Sequence, residues 1–278
     1  MNEKKNYLFA VLVFAFTMLG FNGISMVLSF AAAIGGTILG GANGSRMTYQ
    51  FLMNHLNLVS VLVYTVMLVF AFCWYYFAFI EREGAIRFFK RRVTRVDAAG
   101  YGWLFVLGFG LLQMSSIVMT VIAFAAPKWM ENYQNLIDNS GVTEYSVTWL
   151  IGTLILPPLV EEMIFRGMIM GYIQRAGAGF VVANLVQAVL FGVFHQNLVQ
   201  GIYTALFGLV LGYVADRYGT LFASMFLHMT FNFFGTVFVD LEQRFLPDVV
   251  TGMLVLVGIP LTVVALAVIS ARCKRCNP

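Results

Sequence analysis

Residues Pro157–Arg166 read Pro-Pro-Leu-Val-Glu-Glu-Met-Ile-Phe-Arg, and they stand inside an apolar run that extends from Val147 to Gly171. A run of this length meets the roughly 20 apolar residues that a helix needs to cross a ~30 Å hydrocarbon core. Two adjacent carboxylates and a guanidinium are therefore placed where each charge is costly. In such a setting an ionisable group is a candidate functional group by default.

Seven further runs of the same kind surround this one: Tyr7 to Ala33, Leu56 to Ile80, Tyr101 to Ala126, Gly179 to His195, Gly201 to Ala215, Leu221 to Val239 and Val249 to Ser270. They are continuously apolar, whereas the strands of a membrane barrel alternate at every second residue. With 60% hydrophobic residues, 11% charged and a mean hydropathy of +0.83, the 278-residue chain carries more apolar surface than one soluble core buries. The expected fold is all-α, a polytopic transmembrane bundle of about eight spans. The Gly-rich stretch Gly35 to Gly44 and the polar stretch Pro127 to Ser146 interrupt it, and no repeat divides it, so one domain is expected over 1–278.

Basic residues set the expected topology, because cytoplasmic loops collect them. With the N-terminus inside, thirteen fall on the inner side: Lys4, Lys5, Arg82, Arg87, Lys90, Arg91, Arg92, Arg95, Arg175, Arg217, Arg272, Lys274 and Arg275. Arg46, Lys128 and Arg244 fall outside, and Arg166 within a span. Both termini are expected in the cytoplasm. The same bias and the anionic lipid surface account for the net charge of +4 and for Lys90-Arg91-Arg92 without a nucleic-acid partner. The first span, longer than the apolar core of a signal peptide, reads as a retained anchor. Cys73 lies in a span and Cys273 and Cys276 in a basic tail, where one C-x-x-C supplies too few ligands for a structural zinc site. His55 falls in an outer loop and receives no role.

The ionisable groups left inside the spans are Glu161, Glu162, Arg166, His195 and His228. Glu162 and Arg166 are four apart, on one helical face and in the favourable order for an ion pair. Glu161 points about 100° away and has no partner within its own helix. Burial pushes a lone carboxylate toward a proton affinity suited to a general base. Pro157 and Pro158 suit a first helical turn and would set Glu161 near a new helix start. Phe191-x-x-x-His195 and His228-x-x-x-Asn232 each place two groups on one face of a later span.

In this order, Glu161-Glu162-x-x-x-Arg166, Phe191-x-x-x-His195 and His228-x-x-x-Asn232 resemble the three signature motifs of the CPBP family (CAAX proteases and bacteriocin-processing enzymes, also called ABI), which are intramembrane proteases. Gly208-x-x-x-Gly212, Asp216 to Thr220 and Ala223-Ser224 add to the resemblance, which covers 148–236. The resemblance implies an endopeptidase in which Glu161 and His195 activate a water while His228 and Asn232 stabilise the oxyanion, with Glu162 and Arg166 in support. The residues alone allow the same division, since peptide hydrolysis needs a base for water and donors for the developing charge.

A catalytic zinc held by His195, His228 and Glu161 is an acceptable set; a metal-free glutamate mechanism suits the amide of Asn232 better, and both stay open here. No His-Glu-x-x-His, no Gly-x-Ser pairing with a downstream His of the rhomboid kind and no Gly-x-Gly-Asp points to a rival protease class. Proton or solute transport, a non-catalytic membrane interaction protein and haem ligation remain the alternatives of other classes. The expected partners are a peptide or protein substrate and the lipid bilayer. The short loops look bacterial, which favours a plasma-membrane location and a role in peptide maturation or bacteriocin immunity. One tension remains: counted from the inner ends of their spans, Glu161, His195 and His228 lie about 15, 22 and 10 Å deep. The expected resolution is a fifth span that starts lower than the others and a site open toward the cytoplasmic half.

Overall fold

The computed structural model describes residues 3–81, 83–142 and 145–273; Arg82, Lys274, Arg275 and Cys276 lie outside them. Every element among the described residues is helical. In chain order they are α1 (Glu3–Asn54), α2 (Leu56–Ile80), α3 (Ala85–Val93), α4 (Ala98–Ala125), α5 (Pro127–Asp138), α6 (Val147–Arg175), α7 (Phe180–Phe194), α8 (Leu198–Tyr218), α9 (Leu221–Phe245) and α10 (Asp248–Arg272). Seven are long and apolar enough to cross a membrane, and α7 is a shorter apolar helix. The outward faces of the bundle remain apolar: Val181, Leu206, Leu256 and Val263 are all at least half exposed. The chain is a multi-pass integral membrane protein.

One expectation is corrected at the N-terminal end. The stretch between Ala33 and Leu56 is helical, not a loop, and it reverses at Gly40–Gly41, where Gly41 takes a φ of +62° that a Cβ would disfavour. The returning arm packs against the outgoing one: Thr48 Oγ1 donates to Ala32 O at 2.7 Å, and a Cβ on Gly36 would stand 2.5 Å from Gly44 O. Gly36 and Gly44 thus permit backbone contact between two antiparallel helices. His55 interrupts the returning arm just before α2, and its ring Nδ1 bonds Phe51 O at 2.8 Å. Below it, Phe21 meets Tyr64 edge-on at 4.8 Å, and Gly20 gives way to Met67.

Small residues also govern α7 and α8. A Cβ on Gly192 would come within 2.5 Å of Gly201 O, and Gly212 faces Asn184 and Gln187. The resulting proximity lets Asn184 Nδ2 donate to Leu209 O at 3.0 Å and Gln187 Nε2 to Gly208 O at 2.9 Å. Buried polar side chains thereby bind two membrane helices through their backbones. Gly192→Val is expected to destabilise the protein by roughly 1–3 kcal/mol in detergent unfolding. Gly102→Ala, where a Cβ meets nothing within 4 Å, is the neutral control.

Helix α6 is the least regular. It is π-helical over Leu150–Ile155 and Met163–Ile169, with Pro157 and Pro158 between. Proline has no N–H, so Gly152 O loses its π-type donor at Pro157 and Thr153 O loses both its α-type and π-type donors. Other helices supply the missing bonds: Ser60 Oγ donates to Gly152 O at 3.2 Å and Asn232 Nδ2 to Thr153 O at 3.0 Å. The wide turns of α6 thus dock on α2 and α9 about two helical turns before the carboxylates.

The depths of the three motifs agree once the helix starts are placed. Asn6 Nδ2 donates to Arg175 O, which fixes α1 and the end of α6 at one level. Leu221, the first residue of α9, packs on Gly167, about 12 Å above Arg175 along α6. His228 then lies ~22 Å above that level, beside Glu161 at ~21 Å and His195 at ~22 Å. Asp97 ties the basic side together, capping α4 through Gly100 N at 2.8 Å and pairing with Arg272. The Gly100 amide first, then Arg272, holds its carboxyl below the usual range. Its contribution to stability is therefore present at neutral pH and is lost as pH falls through that lowered value.

Candidate active site

Glu162 and Arg166 form the ion pair expected from their spacing, Oε1 to Nη1 at 2.9 Å, with neither side chain exposed. Arg166 Nη2 reaches Gly208 O at 3.3 Å, and its guanidinium covers the Phe191 ring at 4.3 Å. Glu162 has a second partner that its helix does not reveal: His228 Nδ1 lies 3.0 Å from the same Oε1. A carboxylate only accepts, so Nδ1 carries the hydrogen and Nε2 is the free nitrogen of the neutral ring. Nε2 faces Glu161, 3.8 Å from Oε2.

Glu161 has a partner from an unexpected helix. Tyr64 of α2 donates its hydroxyl to Glu161 Oε1 at 2.6 Å. Only 3% of Glu161 is exposed, and His228 is 4% exposed. One cue to Tyr64 is its phenol in the middle of an apolar span, where a buried hydroxyl requires a partner. Phe21 positions both sides of the site, since its ring packs on Tyr64 and, at 5.1 Å, on Phe194.

His195 caps the C-terminal end of α7, half-buried. Its Nδ1 donates to Phe191 O at 2.8 Å, which leaves Nε2 as an acceptor. The Phe191 ring lies between the two imidazoles, with centroids 4.9 Å from His195 and 5.9 Å from His228. Among the described residues, imidazole–carboxylate contacts within 4 Å are made by His228 alone, with Glu161 and Glu162. Asn232 follows His228 by one turn and spends one N–H on Thr153 O. That bond accounts for an amide at this position on structural grounds and also fixes its orientation.

A metal held by His195, His228 and Glu161 does not fit this arrangement. Among the described residues no three His, Cys, Asp or Glu side chains converge on a common point. The site is instead a chain of hydrogen bonds, Tyr64 to Glu161 and Arg166 and His228 to Glu162, with His195 adjoining.

All-helical membrane architecture and paired carboxylates facing imidazoles from later helices define a class, that of polytopic membrane proteins with a buried acid–imidazole centre. Comparison with known proteins narrows it. Residues 143–234, which hold every motif residue, match the model of the family described as type II CAAX prenyl endopeptidase Rce1-like. Over 137 residues, 49% of the chain, it is 27% identical to YdiL of Bacillus subtilis (strain 168), a protein proposed to be a membrane peptidase. The chain spans about half of that relative's length, 54%. No solved structure matches significantly. These matches support the CPBP family, the one that the motifs resemble.

Proposed function

We propose that the protein is an intramembrane endopeptidase that hydrolyses a peptide bond of a membrane-associated peptide or protein, with Glu161 as the general base. The observation that carries this reading is Glu161 itself: a buried carboxylate with one oxygen held by Tyr64 at 2.6 Å and the other turned to His228 Nε2 at 3.8 Å. A water between Glu161 Oε2 and His195 Nε2 meets two acceptors, which orient it and draw off its proton as it attacks the scissile carbonyl. The tetrahedral oxyanion then gathers the second N–H of Asn232 and the imidazole of His228. Glu161 takes the water's proton and passes it to His228 Nε2, which then donates to the oxyanion. Glu162 favours that charged ring through Nδ1, while Arg166 balances Glu162. With His228 protonated, His228 and Arg166 offset Glu161 and Glu162, and the site's single net negative charge lies on the oxyanion that the donors face. Release of the proton to the leaving amine completes the cycle. No step calls for a metal.

Tyr64→Phe removes one hydrogen bond to a charged group, worth ~1.5–3 kcal/mol, so kcat is expected to fall about ten-fold to a hundred-fold. KM should hardly change, since the hydroxyl touches the base and not the peptide. The function itself is tested by comparing peptide termini, by mass spectrometry, in membranes from cells carrying the wild type or Glu161→Gln. New termini present only with the wild type support the endopeptidase and name its substrates. They also decide between peptide maturation and bacteriocin self-immunity as its setting. Identical termini, with solute uptake that depends on Glu161, would assign the buried groups to transport.

A further inference from the structure

Two cavities adjoin on the α5 side of the bundle, away from the basic loop and helix ends. The larger, about 710 Å³, lies among α4, α5, α8, α9 and α10. Its lining holds three carboxylates, Asp138, Asp240 and Glu242, and no Lys, Arg or His. The smaller, about 270 Å³, is almost wholly apolar; it shares Ser115, Tyr203 and Phe231 with the first and reaches Phe207. The Phe207 ring lies 5.5 Å from that of His228, so the pair of cavities leads toward the candidate active site.

The three acids are not equivalent. Asp240 is paired with Arg244 at 2.9 Å, and Asp138 is exposed on α5. Glu242 is only 6% exposed, yet its Oε1 has no hydrogen-bond partner. The Gln113 amide stands beside it, 1% exposed, and its Nε2 approaches the carboxylate without reaching hydrogen-bond geometry. A buried carboxylate in this condition is costly, and an arriving cation offsets the cost.

We infer that the two cavities form a substrate subsite that takes a basic peptide side chain at Glu242 and the neighbouring apolar residues against Phe207. The inference rests on the endopeptidase reading and names its substrate class, an apolar peptide with a basic residue. Helix geometry sets the spacing. Glu242 lies ten residues beyond Asn232, ~15 Å along α9, which an extended peptide covers in about four or five residues. The basic residue therefore sits about four or five positions from the bond that is cut. Arg91, Arg92, Arg175 and Arg217 on the opposite side of the bundle repel such a residue, so charge also selects the side of approach.

Binding tests this without relying on cleavage. The full chain carrying Glu161→Gln, in detergent micelles, is titrated with a fluorescein-labelled apolar decapeptide containing one lysine and with its norleucine counterpart, read by anisotropy. The lysine peptide is expected to bind about ten-fold more tightly. Adding Glu242→Gln should abolish the difference while leaving norleucine binding unchanged, and Glu242→Asp should retain it. Equal affinities in the parent, or a lysine preference that survives Glu242→Gln, would overturn the assignment whatever the outcome for catalysis. If Glu242→Gln does not fold, the parent is photocrosslinked to the decapeptide carrying a diazirine-bearing lysine analogue and the adduct is located by mass spectrometry: an adduct on residues 239–243 supports the subsite and one elsewhere refutes it.

Discussion

Glu161→Gln in the purified protein is expected to lower kcat for peptide cleavage by about 10³-fold, the scale of a lost general base. The substitution is chosen for its conservatism. Glutamine fills the same volume and still offers a carbonyl oxygen to the Tyr64 hydroxyl, so the 2.6 Å contact has a neutral successor. It places no new charge in a position that is 3% exposed. Unfolding in detergent should therefore resemble that of the wild type, and peptide affinity should persist. A variant that binds peptide but does not cut it isolates the proton transfer; one that still cuts at the parent rate assigns the base elsewhere.

Removing Arg166 should have the largest effect on stability. Glu162 is fully buried, with the Arg166 guanidinium as its charged partner and the His228 imidazole as a second hydrogen-bond partner. Arg166→Met strands that carboxylate at a cost of about 3–5 kcal/mol. The paired change Glu162→Gln with Arg166→Met removes both charges and should recover most of the loss, a non-additivity expected of residues in contact. Activity should not return with it. His228 would have lost the acceptor that holds its Nδ1 hydrogen and supports its charged form, so a stable but inactive double variant separates the folding role of the pair from its role in orienting the imidazole. Recovery of both together would reduce the pair to a structural clamp.

Much of this was legible in residue order, and the exceptions have physical reasons. The spans announced themselves because apolar length is what a bilayer demands, and Glu162 with Arg166 followed from helical spacing alone. The helical hairpin around Gly40–Gly41 did not, because glycine-rich sequence looks like a loop unless the contact of Gly36 with Gly44 is known. Tyr64 escaped because a hydroxyl's partner, ninety-seven residues away, is set by packing of α2 on α6. Asn232 reads as an oxyanion donor by motif, whereas its bond to Thr153 O depends on which carbonyls Pro157 and Pro158 leave bare. The mismatch in depth among the motifs vanished once Leu221 was found on Gly167, since counting from span ends assumes that all helices start at one level.

The proposed reaction requires Glu161, His195, His228 and Asn232 to surround one peptide bond. A cryo-electron microscopy structure of the Glu161→Gln protein with an uncleaved peptide bound would test it most directly. The scissile carbonyl oxygen is expected within hydrogen-bond reach of Asn232 and His228, with its carbon facing residue 161. A peptide seated elsewhere, with these side chains turned away from it, would remove all four from the reaction.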